Sequence, residues 1–303
     1  MISKYTYKKL TWIDLESPTK DEVYSLMEEY SLPSLVGEEL MTQTLRSKVD
    51  LYDSIIYMIL HFPVISNKTH KSNEQEVDFV IGKNFIITAH YEMINPLHEF
   101  SKMFETDSTL DKSLMGNHAG FLFFYIIREL YKNAMLELED INDSLRDIEK
   151  NIFDGREGEM VAVISNLNRT LVDFKQAIRF HRETLRSFEG AGTKFFGTEF
   201  SYYLSAITGE YNKVQNVLEG HKDILDDLKN TNDSLLTSKT SDTIKKLTIM
   251  TFIMLPLTLI TGIFGMNTEM ILIKSLSNFG LVILFMIIIG TGMFVYFKKK
   301  RWF

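Results

Sequence analysis

The chain of 303 residues has no cysteine, five prolines and 16 glycines. The lack of cysteine excludes disulfide scaffolds, thiolate zinc sites, iron–sulfur clusters and cysteine nucleophiles together, and fits a reducing compartment. So few Gly and Pro exclude a collagen, a low-complexity chain or a disordered one. No GxxxxGK stretch is present, so ATP-driven pumping has no visible motor. The seven histidines, His61, His70, His90, His98, His118, His181 and His221, show no HExxH or other ligand spacing. No enzyme is expected from these residues. The opening MISKYTYKKL lacks an apolar signal region, so no cleaved secretory peptide is expected either.

Positive charge is short as well, with 33 Lys and Arg against 40 Asp and Glu. Five of those basic residues (Lys274, Lys298, Lys299, Lys300, Arg301) and a single acid, Glu269, follow residue 246. An acidic body with a basic tail is a poor match for phosphate backbones, which need a basic face, so no nucleic-acid partner is expected. Cations suit it better.

What the sequence does have is two long uncharged runs. Leu247 to Met266 gives 20 residues without a formal charge, and Phe279 to Phe297 gives 19 more. A helix of about 20 residues spans roughly 30 Å, the hydrocarbon thickness of a bilayer. The expected partition is a cytoplasmic α/β domain at 1–110, a helical region with a long stalk at 111–246, and a first span at 247–266. An extracytoplasmic loop at 267–278, a second span at 279–297 and a basic tail at 298–303 follow. Positive residues beside a span stay in the cytoplasm. Two spans then place both termini, and the acidic body, on that side of the cell membrane.

Within the body, Lys8 to Leu15 alternates as a strand does, and Pro18-Thr19 opens an amphipathic helix running to about Tyr30. Val49 to Ile65 reads as one or two strands. Val77 to Ile81 and Phe85 to Thr88 flank Gly82-Lys83-Asn84 as a hairpin. From about Gly120 the pattern is helical: Phe121 to Asn151, Glu159 to Phe188 and Phe200 to Lys246. In the last, Ile207, Tyr211, Val214, Leu218, Leu225, Leu228 and Leu235 form an a/d stripe, with His221 and Asn232 in its two missing positions. Such a stripe packs on the preceding helices or on other subunits.

The first span is not uniformly apolar. Ser241, Ile244, Thr248, Thr251, Leu255, Thr258 and Gly262 recur at intervals of 3, 4, 3, 4, 3 and 4, on one helix face. Hydroxyls on membrane helices commonly bond their own backbone or join helices. The alternative is an aqueous path lined by several copies. Pro256 frees the carbonyl of Phe252 and permits a bend. The second span has only Thr291 and Tyr296 as polar groups and suits a lipid-facing support. Gly262-Ile263-Phe264-Gly265-Met266-Asn267 closes the first span, offering carbonyls and an amide oxygen. Neutral oxygens suit a hydrated divalent ion such as magnesium, which gives up its waters reluctantly.

Gly265-Met266-Asn267 in this position, after Leu255-Pro256-Leu257-Thr258 and Thr261-Gly262-Ile263-Phe264, resembles the CorA family of magnesium transporters. The ending Tyr296-Phe297-Lys298-Lys299-Lys300-Arg301-Trp302, Trp12-Ile13-Asp14-Leu15 and the stretch from Val77 to His90 are similar too. The resemblance implies an α+β membrane protein: a funnel-shaped homopentamer of cytoplasmic α/β domains, with long stalk helices continuing into the first of two C-terminal membrane helices. It also implies passive magnesium uptake, with cobalt or nickel as further ions, and cytoplasmic magnesium as the regulatory ion favouring the closed state.

Carried over by residue, the outer selectivity ring falls on Gly265, Met266 and Asn267, with Asn267 meeting the metal through water. The inner apolar constrictions fall near Ile244, Leu247 and Leu255, the pore-facing hydroxyl on Thr258, and the basic collar on Lys298 to Arg301. Two departures stand out. The Met-Pro-Glu-Leu of many members is replaced by Met270-Ile271-Leu272-Ile273, leaving Glu269 as the loop's only acid, and Ser241 replaces an Asn often found at the cytoplasmic entrance. Glu219, Asp223, Asp226 and Asp227 make an acidic turn on the stalk, which reads as a solvated face or as an inter-subunit magnesium sensor. The rival readings are a proton-coupled zinc transporter of the same superfamily and a membrane-anchored scaffold that conducts nothing.

Overall fold

The computed structural model describes residues 2–65, 72–106, 118–265 and 276–300. The chain divides into two units, one reaching to Lys229 and one beginning at Asn230. In the first unit, strands β1 (Ile2–Tyr7), β2 (Leu10–Glu16), β3 (Lys48–Leu51), β4 (Ile56–Ile65), β5 (Ser72–Ile81) and β6 (Phe85–His90) form one sheet in the order β1-β2-β6-β5-β4-β3. Only the β2–β6 pair is parallel.

The hairpin around Gly82 and the strand pair ending at Ile65 lie where expected, but the alternation of Lys8 to Leu15 hides a turn. Lys8 takes a left-handed φ of 54° and the chain reverses between β1 and β2 there. Neither Lys8 nor Lys9 is a residue that marks a tight turn, so the sequence carries no signal for it. Thr19 begins α1 (Lys20–Tyr30) with a reciprocal capping box. Its backbone N–H donates to Glu22 Oε2 at 2.8 Å, and the Glu22 N–H returns a bond to Thr19 Oγ1 at 3.4 Å. Such a cap contributes about 1 kcal/mol.

The strand period of two sorts the sheet residues onto two faces. One face, with Ile13, Leu15, Tyr57, Ile59, Val80, Ile87 and Ala89, is covered by Val23 and Leu26 of α1 and by Val36 and Leu40 at α2 (Ser34–Glu39). The other carries aromatic rings. Trp12 meets Phe100 of α3 (Asn95–Thr106) at 5.4 Å, and Phe79 meets Phe123 of α4 (Ala119–Phe153) edge-on at 5.2 Å.

The expected helix from Glu159 to Phe188 is two helices, α5 (Glu157–Ala177) and α6 (His181–Phe196). No Gly or Pro marks the break at Ile178-Arg179-Phe180; tertiary bonding imposes it. His181 is fully buried, its Nε2 donating to the carbonyl of His61 at 2.8 Å and its Nδ1 accepting from the Tyr131 hydroxyl at 2.8 Å. These two bonds join α6 to both the sheet and α4. The a/d stripe of α7 (Ser201–Gly265) is buried within the chain itself at Ile207, Tyr211, Val214, Leu218, His221, Leu225 and Leu228. Tyr211 lies 6.3 Å from Tyr131 and 6.0 Å from His181, ring centre to ring centre.

Burial holds the His181 imidazole far below its usual range, at about 3, so it is neutral in the folded chain. The unfolded chain takes up that proton below about pH 6.5. This residue therefore stabilises fully above that pH, and its contribution is lost at about 1.4 kcal/mol per pH unit toward pH 3. A His181→Phe variant should lose about 1–3 kcal/mol at pH 7.5, because the Tyr131 hydroxyl and His61 carbonyl lose their partner. Its melting temperature should then fall less steeply with acid than that of the wild type. Parallel melting curves between pH 7.5 and 4.5 check this, and equal acid slopes would refute the neutral, buried histidine.

Candidate functional site

The second unit contains the end of α7 and helix α8 (Leu276–Lys299). Both helices are long and apolar enough to cross a membrane, and almost none of either apolar stretch is buried inside the chain. Exposure along α7 has a clear period. Ile249 is buried, and Ile253, Pro256, Leu257, Ile260 and Phe264 are half-buried. Ile244, Leu247, Thr248, Thr251, Leu255, Thr258 and Gly262 are all exposed. At 3.6 residues per turn the two sets are centred about half a turn apart.

Helix α8 supplies the cover for the first set. Its half-buried residues, Val282, Met286, Ile289, Gly290, Met293 and Phe297, recur at the same helical period. A Cβ placed on Gly290 would lie 3.6 Å from Leu257 Cδ1, at ordinary contact distance, so α8 packs on α7 there with room for a methyl group but not for a large side chain. At Gly292 the corresponding space is open. Thus α8 occupies one face of α7, and the stripe of small, hydroxyl and apolar side chains is left bare on the opposite face.

The hydroxyls on that stripe do bond their own helix. Thr248 donates to the Ile244 carbonyl at 2.8 Å, Thr251 to Leu247 at 3.0 Å and Thr258 to Met254 at 2.9 Å. Each such bond uses the hydroxyl hydrogen and leaves the oxygen lone pairs to accept from water. The stripe can therefore offer acceptors without an unsatisfied donor. Pro256 lies inside the helix and has no N–H to give the Phe252 carbonyl. Gly265 ends α7 with nothing near its Cα hydrogens, as at Gly262. Met266, Asn267 and Glu269 lie outside the described residues.

Of the other expected site residues, Lys298 and Lys299 occupy the last turn of α8, and the Lys300 N–H donates to the Tyr296 carbonyl at 3.1 Å. Arg301 lies outside the described residues. The stalk acids are not gathered. Asp223, Asp226 and Asp227 are exposed. Lys222 holds Asp226 Oδ1 at 2.5 Å and Asn168 Oδ1 at 3.0 Å, while Gln215 donates to Glu219 at 2.9 Å. No group of three or more His, Asp or Glu among the described residues is arranged to hold a metal ion. The half-buried set facing α8 was not singled out in the sequence, where its residues are as apolar as their neighbours; the period of the glycine and large residues on α8 is its one trace.

The model of the family described as CorA-like Mg2+ transporter protein matches residues 7–299. The chain belongs to this family. The cobalt/magnesium transport protein CorA of Thermotoga maritima is 25% identical over 294 residues, covering 96% of this chain and 83% of its own. The putative metal ion transporter YfjQ of Bacillus subtilis is 24% identical, covering 96% and 89%. In fold, the chain is similar to the complete structure of the CorA magnesium transporter from Methanocaldococcus jannaschii, with a TM-score of 0.83 over 100% of this chain and 98% of that one at 20% identity. The CorA-like architecture of an N-terminal α/β domain, a long helix and two C-terminal apolar helices is thus shared from end to end, and the family is one of transporters.

The Gly290 contact has a direct consequence. Gly290→Leu should overpack against Leu257 and cost about 1–3 kcal/mol, whereas Gly292→Leu, with open space, should cost little. Melting of the two variants in the same mild detergent separates them. Equal behaviour would show that α8 does not approach α7 through Gly290.

Proposed function

We propose that this chain is the subunit of a divalent-cation channel for magnesium, in which several copies turn the bare α7 stripe toward a common path. The observation carrying this reading is the position of that stripe, opposite the face that α8 covers. A single helix cannot enclose a hydrated ion. Five copies, the homopentamer of the family resemblance, would set Thr248, Thr251, Thr258 and Gly262 around a wet channel, with Ile244, Leu247 and Leu255 as apolar rings. Such rings block flow by excluding water, without any charge.

In this reading the partition of the chain follows its charges. The basic Lys298 to Arg301 collar holds the tail, and with it residues 1–246, in the cytoplasm of the cell membrane. Spans occupy 247–266 and 279–297, with 267–278 outside. Gly265, Met266 and Asn267 form the outer ring. The Asn267 amide oxygens accept hydrogen bonds from the waters of an arriving ion, which suits magnesium because it sheds its shell reluctantly. Neutral acceptors also release the ion more readily than carboxylates would. Passage is passive, driven by the membrane potential, with no role for ATP. Closure by internal magnesium would draw on acids brought together between subunits, for which Asp223, Asp226 and Asp227 on the exposed α7 face are candidates. Cobalt and nickel are further cargoes.

Flux into liposomes holding the purified protein tests the proposal, with magnesium, cobalt, nickel and zinc supplied in turn. Magnesium should enter, and Asn267→Ala should cut that entry at least about tenfold, a barrier increase of about 1.4 kcal/mol, with the melting temperature unchanged. Near-normal uptake with a lowered melting temperature would make Asn267 a helix C-cap instead. Zinc entry accelerated by a proton gradient, with little magnesium flux, would favour the proton-coupled zinc reading. No flux of any ion would leave a scaffold.

A further inference from the structure

Asp78 lies in the middle of β5, opposite Ile59 of β4 and Ala89 of β6. It is fully buried, and neither carboxyl oxygen has a hydrogen-bond partner. Its face of the sheet is the one covered by α1 and α2, so Ile59, Val80 and Ala89 of the apolar cluster are its immediate neighbours in the pleat. An ionised carboxylate in such a place needs a cation or several donors, since desolvation costs many times what an exposed charge does.

Among the described residues no cation and no set of donors meets it. Glu76 follows two residues earlier on the same face and is also buried, but its oxygens are served by others. The Thr44 N–H donates to Oε2 at 2.6 Å, the Thr44 hydroxyl to Oε1 at 3.2 Å, and His61 Nε2 stands 3.6 Å away. From β4, Asp78 faces Tyr57, whose buried hydroxyl favours the ionised carboxylate, but by less than burial and the neighbouring acids oppose it. From α2 the nearest charge is another acid, Glu39. Tyr91, after β6, is a phenol whose pKa burial pushes up. Lys48 of β3 spends its ammonium on Glu39 at 2.7 Å and Asp50 at 2.8 Å, 5.3 Å from the Tyr57 ring.

We propose that Asp78 is a proton-binding site of the sheet: it keeps its carboxyl proton at neutral pH. Burial is the main cause, the Glu76 carboxylate and then Glu39 adding to it, and together they push the Asp78 carboxyl well above the usual carboxylate range. For His61, burial works against protonation, but Glu76 and the Thr44 carbonyl outweigh it and raise its pKa. The unfolded chain releases the Asp78 proton above about pH 4, while the folded chain holds it. Folding therefore takes up a proton, and stability falls as pH rises until the folded carboxyl ionises. The sheet is loosened by alkali at a site far in sequence from either membrane span.

The test compares full-length wild type with Asp78→Asn, an isostere that needs no proton, by thermal unfolding from pH 6 to 9. The wild type should lose melting temperature as pH rises. Asp78→Asn should flatten that decline and melt several degrees above wild type at pH 8.5. Equal slopes in the two proteins would overturn the proposal. Infrared spectra of the wild type serve if the variant does not fold: a protonated-carboxyl carbonyl band present at pH 7, and shifted by deuterium, is expected. Absence of any such band at pH 7 would overturn the proposal equally.

Discussion

Everything proposed for the membrane segment depends on α7 having two opposite faces and only one cover. Helix α8 lies against Leu257 at Gly290, and the period of half-buried residues on both helices records that contact. Once that face is taken, the remaining face of α7 meets nothing among the described residues. Lipid could cover a face of Leu and Ile, yet this one alternates them with Thr and Gly. Small and hydroxyl residues let helices come close and accept hydrogen bonds from water, neither of which lipid tails reward. The threonine hydroxyls already donate to their own helix, so the face can be wetted without leaving a donor unpaired.

The soluble unit follows a different constraint. Its six-stranded sheet is packed on both sides, so polar groups inside it must be tied or neutral. His181 shows the first solution, bonded at both ring nitrogens across three layers. Thr88 shows it too, accepting from Trp12 Nε1 at 2.9 Å and donating to Asp14 Oδ1 at 2.5 Å. Asp78 follows the second solution. Apolar contact supplies most of the stabilisation here, while at His181 a buried polar group coincides with the break between two helices.

Much of this was legible in the sequence because charge and hydropathy are one-dimensional signals. The uncharged runs, the hairpin at Gly82, the helix opening at Pro18-Thr19 and the stripe of α7 each rest on neighbours a few residues apart. The a/d pattern from Ile207 to Leu228 was readable as packing, and the structure shows that its partners lie within the same chain. What escaped depended on distant partners. The turn at Lys8 has no turn-forming residue, and the break before His181 has no glycine or proline to announce it. The α8-facing set is no more apolar than its surroundings. Asp78 could have been noticed as an acid inside the apolar run Val77 to Ile81, yet only the register of β4, β5 and β6 shows that it lacks a partner.

The absence of cysteine makes the orientation of α7 directly measurable, because any cysteine introduced is the sole thiol in the chain. Single cysteines placed one at a time from residue 251 to residue 262, in protein assembled in membranes, can be probed with a small charged thiol reagent. Reaction at 251, 255, 258 and 262, with protection at 253, 257 and 260, is the pattern expected of a water-lined stripe opposite α8. Protection at the stripe, or reaction confined to the positions facing α8, would contradict a shared aqueous path along α7.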